Sequence, residues 1–169
     1  MIKKLAISAI VLASSFLTAS EVNVYSHRHY DSDKILFKKF EETTGIKVNI
    51  VTAKAEELVS KLAIEGENTP ADVLITADIG NLHEAKSRNL LQTIDSNTLN
   101  TNIPAHLRDA NKEWFALTKR ARIFVYNPEK INEADLSDYL SLTNPKLKGK
   151  IITRSSTNAY NKALLASII

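Results

Sequence analysis

The sequence predicts an α/β fold in which helices cover both faces of a parallel sheet. Three observations carry this. Short β-branched runs alternate with longer stretches of helical period between residues 21 and 88. Gly45, Gly66 and Pro70 punctuate the changes of period. The run Ala71–Thr76 is almost continuously apolar, as strands buried on both faces of a parallel sheet are. The order strand, helix, strand, helix, strand, helix then implies parallel pairing.

Each element has its own warrant. Glu21–Ser26 alternates and is β-branched, so it reads as a strand, with His27–Asp31 as the loop that leaves it. Ser32 or Asp33 caps a helix to Thr44, with Ile35, Leu36, Phe37 and Phe40 on its apolar side and Gly45 in the C′ place. Ile46–Thr52 is a second strand. Ala55–Glu65 is a helix with Leu58, Leu62 and either Val59 or Ala63 inward, stopped by Gly66. Ala71–Thr76 is the third strand and Ile79–Arg88 the third helix. After Thr101 the pattern changes. Asn102–Asp109 reads as loop or short helix, and Trp114–Leu117 and Ile123–Tyr126 as strands joined by the basic segment Thr118–Arg122. Leu136–Leu142 is a short helix, Pro145–Gly149 a turn, Lys150–Thr153 a strand, and Ser155–Asn158 the cap of a helix from Ala159.

The ends of the chain carry two expectations. Lys3 and Lys4, the apolar run Leu5–Leu17 and the small residues Thr18–Ser20 have the layout of a cleavable signal peptide over residues 1–20. The apolar run is too short for an ordinary membrane-spanning helix, which needs roughly 20 residues. The last helix is still running at Ile168 and Ile169, so the sequence reads as the front half of something longer.

Composition narrows the function. Hydrophobic residues make up 44% of the 169, enough for a real core. Removing residues 1–20 takes away two lysines and no acid, so the net charge falls from +3 to +1. That balance, with no basic run interleaved with aromatics, argues against nucleic acid. The absence of cysteine excludes thiolate metal sites and catalytic thiols. Four glycines leave no phosphate-cradling loop, and no nucleophile or zinc-protease motif is present, so an enzyme is not expected.

The polar groups concentrate where strands end, which is where open parallel sheets bind ligands. His27, Arg28, His29 and Tyr30 follow the first strand; Arg154 to Tyr160 follow the last; Asp78 follows the third. A free phenol titrates near a pKa of about 10, so it binds metal only when a strong Lewis acid displaces its proton. A hard trivalent cation such as Fe³⁺ favours anionic oxygen. Arginines close by would steady the negative charge, and Arg28, Arg122 and Arg154 are the candidates. His27 and His29, two apart, would share a face if extended, by itself a weak metal signal. Asp78 is by default a helix cap, and Ser155–Asn158 a cap that could equally present hydroxyls and N–H groups to an anion. Lys119–Arg122 reads by default as a solvated basic patch.

These residues resemble a known family. Val24–Tyr30, Phe40–Val48, Thr69–Asp78, Ile103–Asp109, Trp114–Ile123, Val125–Pro128, Leu147–Ile151 and Arg154–Tyr160 are similar, in order, to segments of bacterial periplasmic ferric-ion-binding proteins, the solute receptors of iron ABC transporters. The combination of His29-Tyr30 with Ala159-Tyr160 is specific to the iron branch. The resemblance implies a type II periplasmic-binding-protein fold closing over one Fe³⁺, in the periplasm, as a monomer serving an inner-membrane permease and its ATPase. It implies metal ligands at Tyr30 and Tyr160, a conditional ligand at His29, and Arg28 and Arg122 as donors to the phenolates. Ser156, Thr157 and Asn158 fall where some members hold a carbonate-type anion, which the tyrosine-rich version often lacks. Ala77 stands where some members carry a glutamate ligand. It further implies a signal peptide at 1–20, a first lobe at 21–117, crossover or hinge strands at 118–127, and the start of a second lobe at 128–169. The family supplies a Tyr-Tyr pair from a later half, and no such pair occurs here. The chain is therefore expected to hold iron weakly or not at all alone. The alternatives are an oxyanion or polyamine receptor of the same fold, or a non-functional truncated product.

Overall fold

The computed structural model describes residues 21–28 and 30–169; the expected signal peptide and His29 lie outside the described residues. Three parallel strands form its sheet, β1 (Glu21–Ser26), β2 (Lys47–Thr52) and β3 (Val73–Ile75), in the order β2-β1-β3. The registers run from Glu21 opposite Lys47 to Ser26 opposite Thr52, and from Val24 opposite Val73 to Ser26 opposite Ile75. The chain leaves β1 for one neighbour and later returns to its other side. The carboxyl end of β1 is thus a topological switch point, where open α/β sheets bind ligands.

Helices α1 (Asp31–Thr44), α2 (Ala55–Glu65), α3 (Ile79–Ser87), α4 (Asn97–Asn102) and α5 (Ala159–Ile168) complete the regular structure, with short 3₁₀ turns between. Gly45 ends α1 with φ of 73°, a left-handed conformation that suits glycine, and its N–H reaches the carbonyl of Glu41. On α2 the inward residues are Leu58, Val59 and Leu62, so Val59 rather than Ala63 completes the face. Leu58 and Leu62 pack on Tyr25 of β1, with Ala53, Ala71, Leu74 and Leu90 around them. The Tyr25 hydroxyl donates to Glu65 at 3.0 Å, and Glu65 is also paired with Lys61 and accepts from Thr69. This half-buried knot fixes α2 on the sheet's central strand.

Several expectations need correction. The third strand is three residues long, not six, and Val73 is 42% exposed. It lies at the edge of the sheet, so it lacks the two-sided burial expected of it. The apolar side of α1 is open: Ile35, Leu36 and Phe40 are exposed and no α1 residue is buried. Trp114–Leu117 makes one antiparallel bridge, Phe115 to Arg108, and no strand. Ile123–Tyr126 and Lys150–Thr153 have no ladder partner among the described residues. A strand sequence becomes a strand only when a neighbour takes its N–H and C=O groups. Leu136–Leu142 is replaced by 3₁₀ turns at Glu133–Asp135 and Leu140–Thr143.

Candidate metal centre

Tyr30 sits at the corner between β1 and α1. The corner is built from local bonds. The Arg28 N–H donates to the Ser26 hydroxyl oxygen at 3.1 Å, and the Asp33 N–H donates to the Tyr30 carbonyl at 3.0 Å. The Arg28 guanidinium forks onto Asp33 through two bonds of 2.9 Å. Asp33, with the charge of the carboxylate in contact, pushes the Arg28 guanidinium above its ordinary range. The same guanidinium lies 5.2 Å from the Tyr30 ring centroid. Such a fork fixes geometry as well as charge.

Tyr160 arrives from the far end of the chain, in the first turn of α5. Asn158 caps that helix, its side-chain oxygen accepting from the Tyr160 N–H at 3.1 Å. Arg122 and Arg154 stand over the Tyr160 ring, at 4.8 and 5.4 Å from its centroid.

One side chain joins the two tyrosines. Arg120 donates through Nη2 to the Tyr30 hydroxyl at 3.0 Å and through Nη1 to the Tyr160 hydroxyl at 3.5 Å. Its guanidinium is 5.9 Å from each ring centroid. The bond to Tyr30 raises the Arg120 guanidinium's affinity for its proton, so it stays charged. A single cation therefore already lies within reach of both phenol oxygens. Tyr30, Tyr160, Arg120, Arg122 and Arg154 all line one open hollow of about 1300 Å³.

The structure thus brings Tyr30 and Tyr160 together and sets Arg122 on a ring face rather than on a phenol oxygen. Arg120 takes the donor position expected of Arg122. No local signal separates Arg120 from Arg122, since residues two apart in extended chain share a face. Asp78 caps α3 by accepting from the Asn81 N–H at 3.3 Å and does not line the hollow. Nor do Ser156, Thr157 and Asn158. Thr157 is turned onto Ser155 by its N–H and its hydroxyl. His27 donates its backbone N–H to the Ile75 carbonyl, and its buried Nδ1 has no hydrogen-bond partner among the described residues. No group of three or more His, Asp and Glu gathers among the described residues, so the oxygen donors assembled here are phenolic.

Residues 27–166 match the model of the bacterial extracellular solute-binding proteins. The chain belongs to that family. The chain is 46% identical over 149 residues to "Iron uptake protein A1" of Synechocystis, a match covering 88% of the chain and 41% of the relative. It is 29% identical to the "Major ferric iron-binding protein" of Neisseria meningitidis over 96% of the chain and 50% of the relative. Among solved structures, the Trichodesmium protein IdiA or FutA in complex with iron and citrate ligands superposes with a TM-score of 0.82 at 47% identity, over 88% of this chain and 47% of that one. The ferric binding protein from Campylobacter jejuni gives 0.81 at 54% identity, over 87% and 47%. The fold is therefore that of the type II periplasmic ferric-binding proteins, and the chain spans about half the length of the relatives it matches.

Proposed function

We propose that this chain is the leading part of an extracytoplasmic ferric-ion receptor, with Tyr30 and Tyr160 as phenolate ligands to a transported Fe³⁺. The observation that carries the reading is the Arg120 bridge, which puts one positive group within reach of both phenol oxygens. Phenolates are hard anionic donors suited to Fe³⁺. Arg28, Arg120, Arg122 and Arg154 hold the negative charge that develops as the phenols lose their protons. The iron-named relatives support the same choice of solute. His29 adds a nitrogen ligand in this reading. Ser156, Thr157 and Asn158, beside Tyr160 in the chain though outside the hollow, are the residues for a carbonate-type anion, and Asp78 serves as the cap of α3. The receptor works as a monomer in the periplasm, delivered there by the signal peptide at 1–20, and passes iron to an inner-membrane permease driven by its ATPase. Residues 21–117 make the first lobe, 118–127 the crossover and 128–169 the beginning of the second.

Two phenolates cannot fill the coordination sphere of a ferric ion, so binding by this chain alone is weak. Excess ferric nitrilotriacetate is expected to produce a weak tyrosinate-to-iron charge-transfer absorbance. Tyr30→Phe and Tyr160→Phe each reduce it. An absorbance that neither substitution changes refutes the assignment. The guanidinium cluster also favours a second reading, an oxyanion receptor, for which 32% identity to a "Putative 2-aminoethylphosphonate-binding periplasmic protein" of Salmonella is some support. Calorimetric binding of 2-aminoethylphosphonate without any ferric colour would select it.

A further inference from the structure

The hollow is far larger than an ion needs. It measures about 1300 Å³, beyond the roughly 300–1,000 Å³ of pockets that enclose small organic ligands. Its walls are of two kinds. Arg120, Arg122, Lys130, Lys150 and Arg154 line it, and no aspartate or glutamate does among the described residues. Ile123, Ile151 and Leu164 give it an apolar wall, and Phe124 and Tyr139 an aromatic one. Those two rings stand edge to face, 4.9 Å apart at 69°, and the Tyr139 hydroxyl donates to the Arg122 carbonyl at 3.1 Å. The aromatic wall is thereby tied to the arginine segment. Tyr160 and Leu164, one turn apart on α5, face the hollow together. An apolar hollow with cations and no acid fits a ligand that has an apolar body and anionic ends. A phenol set among guanidiniums adds an oxygen ligand for ferric iron.

We propose that the hollow binds a ferric tetrapyrrole bearing carboxylate side chains, with the Tyr160 oxygen as axial ligand to its iron. The macrocycle supplies the equatorial nitrogens itself, so the shortage of ligands that weakens the chain's hold on a free ferric ion does not arise. Its ring lies against the apolar wall and the Phe124–Tyr139 pair, and its carboxylates meet the arginines and lysines. A tyrosine oxygen is a known axial donor to haem iron. Arg122 and Arg154 over the Tyr160 ring favour its charged form. The Arg120 bond to Tyr160 is the longer of its two, 3.5 Å against 3.0 Å, and is the one that yields. The proposal rests on the ferric-ion reading only in taking a tyrosine oxygen for an iron ligand; it does not need both tyrosines on one metal.

The test titrates the full chain with haemin and follows the Soret band. Haemin is expected to bind saturably and to give the spectrum of phenolate-ligated ferric haem. Tyr160→Phe, its fold checked by dichroism, moves the band toward that of free haemin and weakens binding by about tenfold, the worth of one bond to a charged group. Lys150→Gln weakens it about two- to fivefold, as loss of an exposed ion pair does. Haemin dimethyl ester, which lacks both anionic ends, binds about tenfold less tightly for the same reason. Leu36→Gln, on the exposed side of α1, leaves binding unchanged. A Soret band that Tyr160→Phe does not move overturns the proposal, as does an ester that binds as tightly as haemin. A loss on Leu36→Gln equal to that on Tyr160→Phe means adsorption to bare apolar surface and also overturns it. Haemin binding without colour from ferric nitrilotriacetate upholds the tetrapyrrole site and counts against the ferric-ion reading alone. Ferric colour without haemin binding overturns the tetrapyrrole site and leaves the ferric-ion reading standing.

Discussion

Leu58→Ala tests what holds the site-bearing strand in place. Leu58 is 1% exposed and packs with Leu62 on Tyr25, near the carboxyl end of β1. The substitution removes about three carbons from the core, each worth about 0.8 kcal/mol of transfer free energy. That is about 2.4 kcal/mol before any cavity is counted. Leu→Ala changes in well-packed cores span about 2–5 kcal/mol because the surroundings collapse only in part. Here the neighbours are a ring and a helix, both anchored through Glu65, so little collapse is expected. The expected loss is about 3 kcal/mol. With a urea dependence of about 2 kcal/mol per molar, the unfolding midpoint falls by about 1.5 M. Ile64→Ala, on the same helix at 86% exposure, should cost no more than about 0.5 kcal/mol, which moves the same midpoint by about 0.25 M at most. The assay is urea unfolding followed by far-ultraviolet dichroism. Equal costs for the two substitutions, or a loss below about 1 kcal/mol for Leu58→Ala, would refute the claim that this small cluster carries the sheet.

Two other outcomes follow from particular bonds. Asn158→Ala removes the cap on α5 and should cost the helix about 1 kcal/mol, while Asn158→Ser keeps most of it; helical dichroism and ferric absorbance report both, because Tyr160 rides on that first turn. Acid should destabilise the protein in a specific window. Lys61 chiefly holds the Glu65 carboxylate below its usual range, Lys86 does so for Asp109, and Lys112 for Asp95. The unfolded chain takes up these protons first. The stabilisation is therefore complete above the ordinary carboxylate range near a pKa of about 4, and is lost as pH falls through the lower native values. Urea midpoints measured down to pH about 2.5 should decline below that range. Asp109→Asn should flatten part of the decline, and a slope it leaves unchanged would remove Asp109 as a cause.

The sequence was legible where neighbours in the chain decide structure. Glu21–Ser26 and Ala55–Glu65 form with the boundaries their periodicity implies, since β-branched alternation and a glycine stop act locally. Val59 over Ala63 could not be chosen from period alone, because both positions suit the inward face of α2. Past Thr101 the strand readings failed for a physical reason, while the helix from Ala159 and its Asn158 cap formed as expected. Ile123–Tyr126 and Lys150–Thr153 have strand chemistry, but a ladder is made between segments, and what lies beside them is not encoded in either. The site divides along the same line. Tyr30 and Tyr160 were visible as phenols at helix starts and strand ends. Arg120 was hidden among Lys119, Arg120 and Arg122, where nothing local distinguishes one cation from its neighbours.

The position of Arg120 bears on how the two halves of the centre are held. Tyr30 is fixed at its backbone by the Ser26 turn and the Arg28–Asp33 fork, and Tyr160 by the Asn158 cap. Each anchor is local and assembles with its own helix. The link between them is a single exposed side chain from an irregular segment, 90 residues from one tyrosine and 40 from the other. Exposed polar contacts of this kind are weak and screened by water, so the link can break without disturbing either anchor. In the ferric reading proposed above, a cation that took both phenolates would replace Arg120 at the oxygens while the guanidinium moved only its own flexible stem. The rigid parts would then set where the phenols point, and the exchangeable part would be the one that gives way.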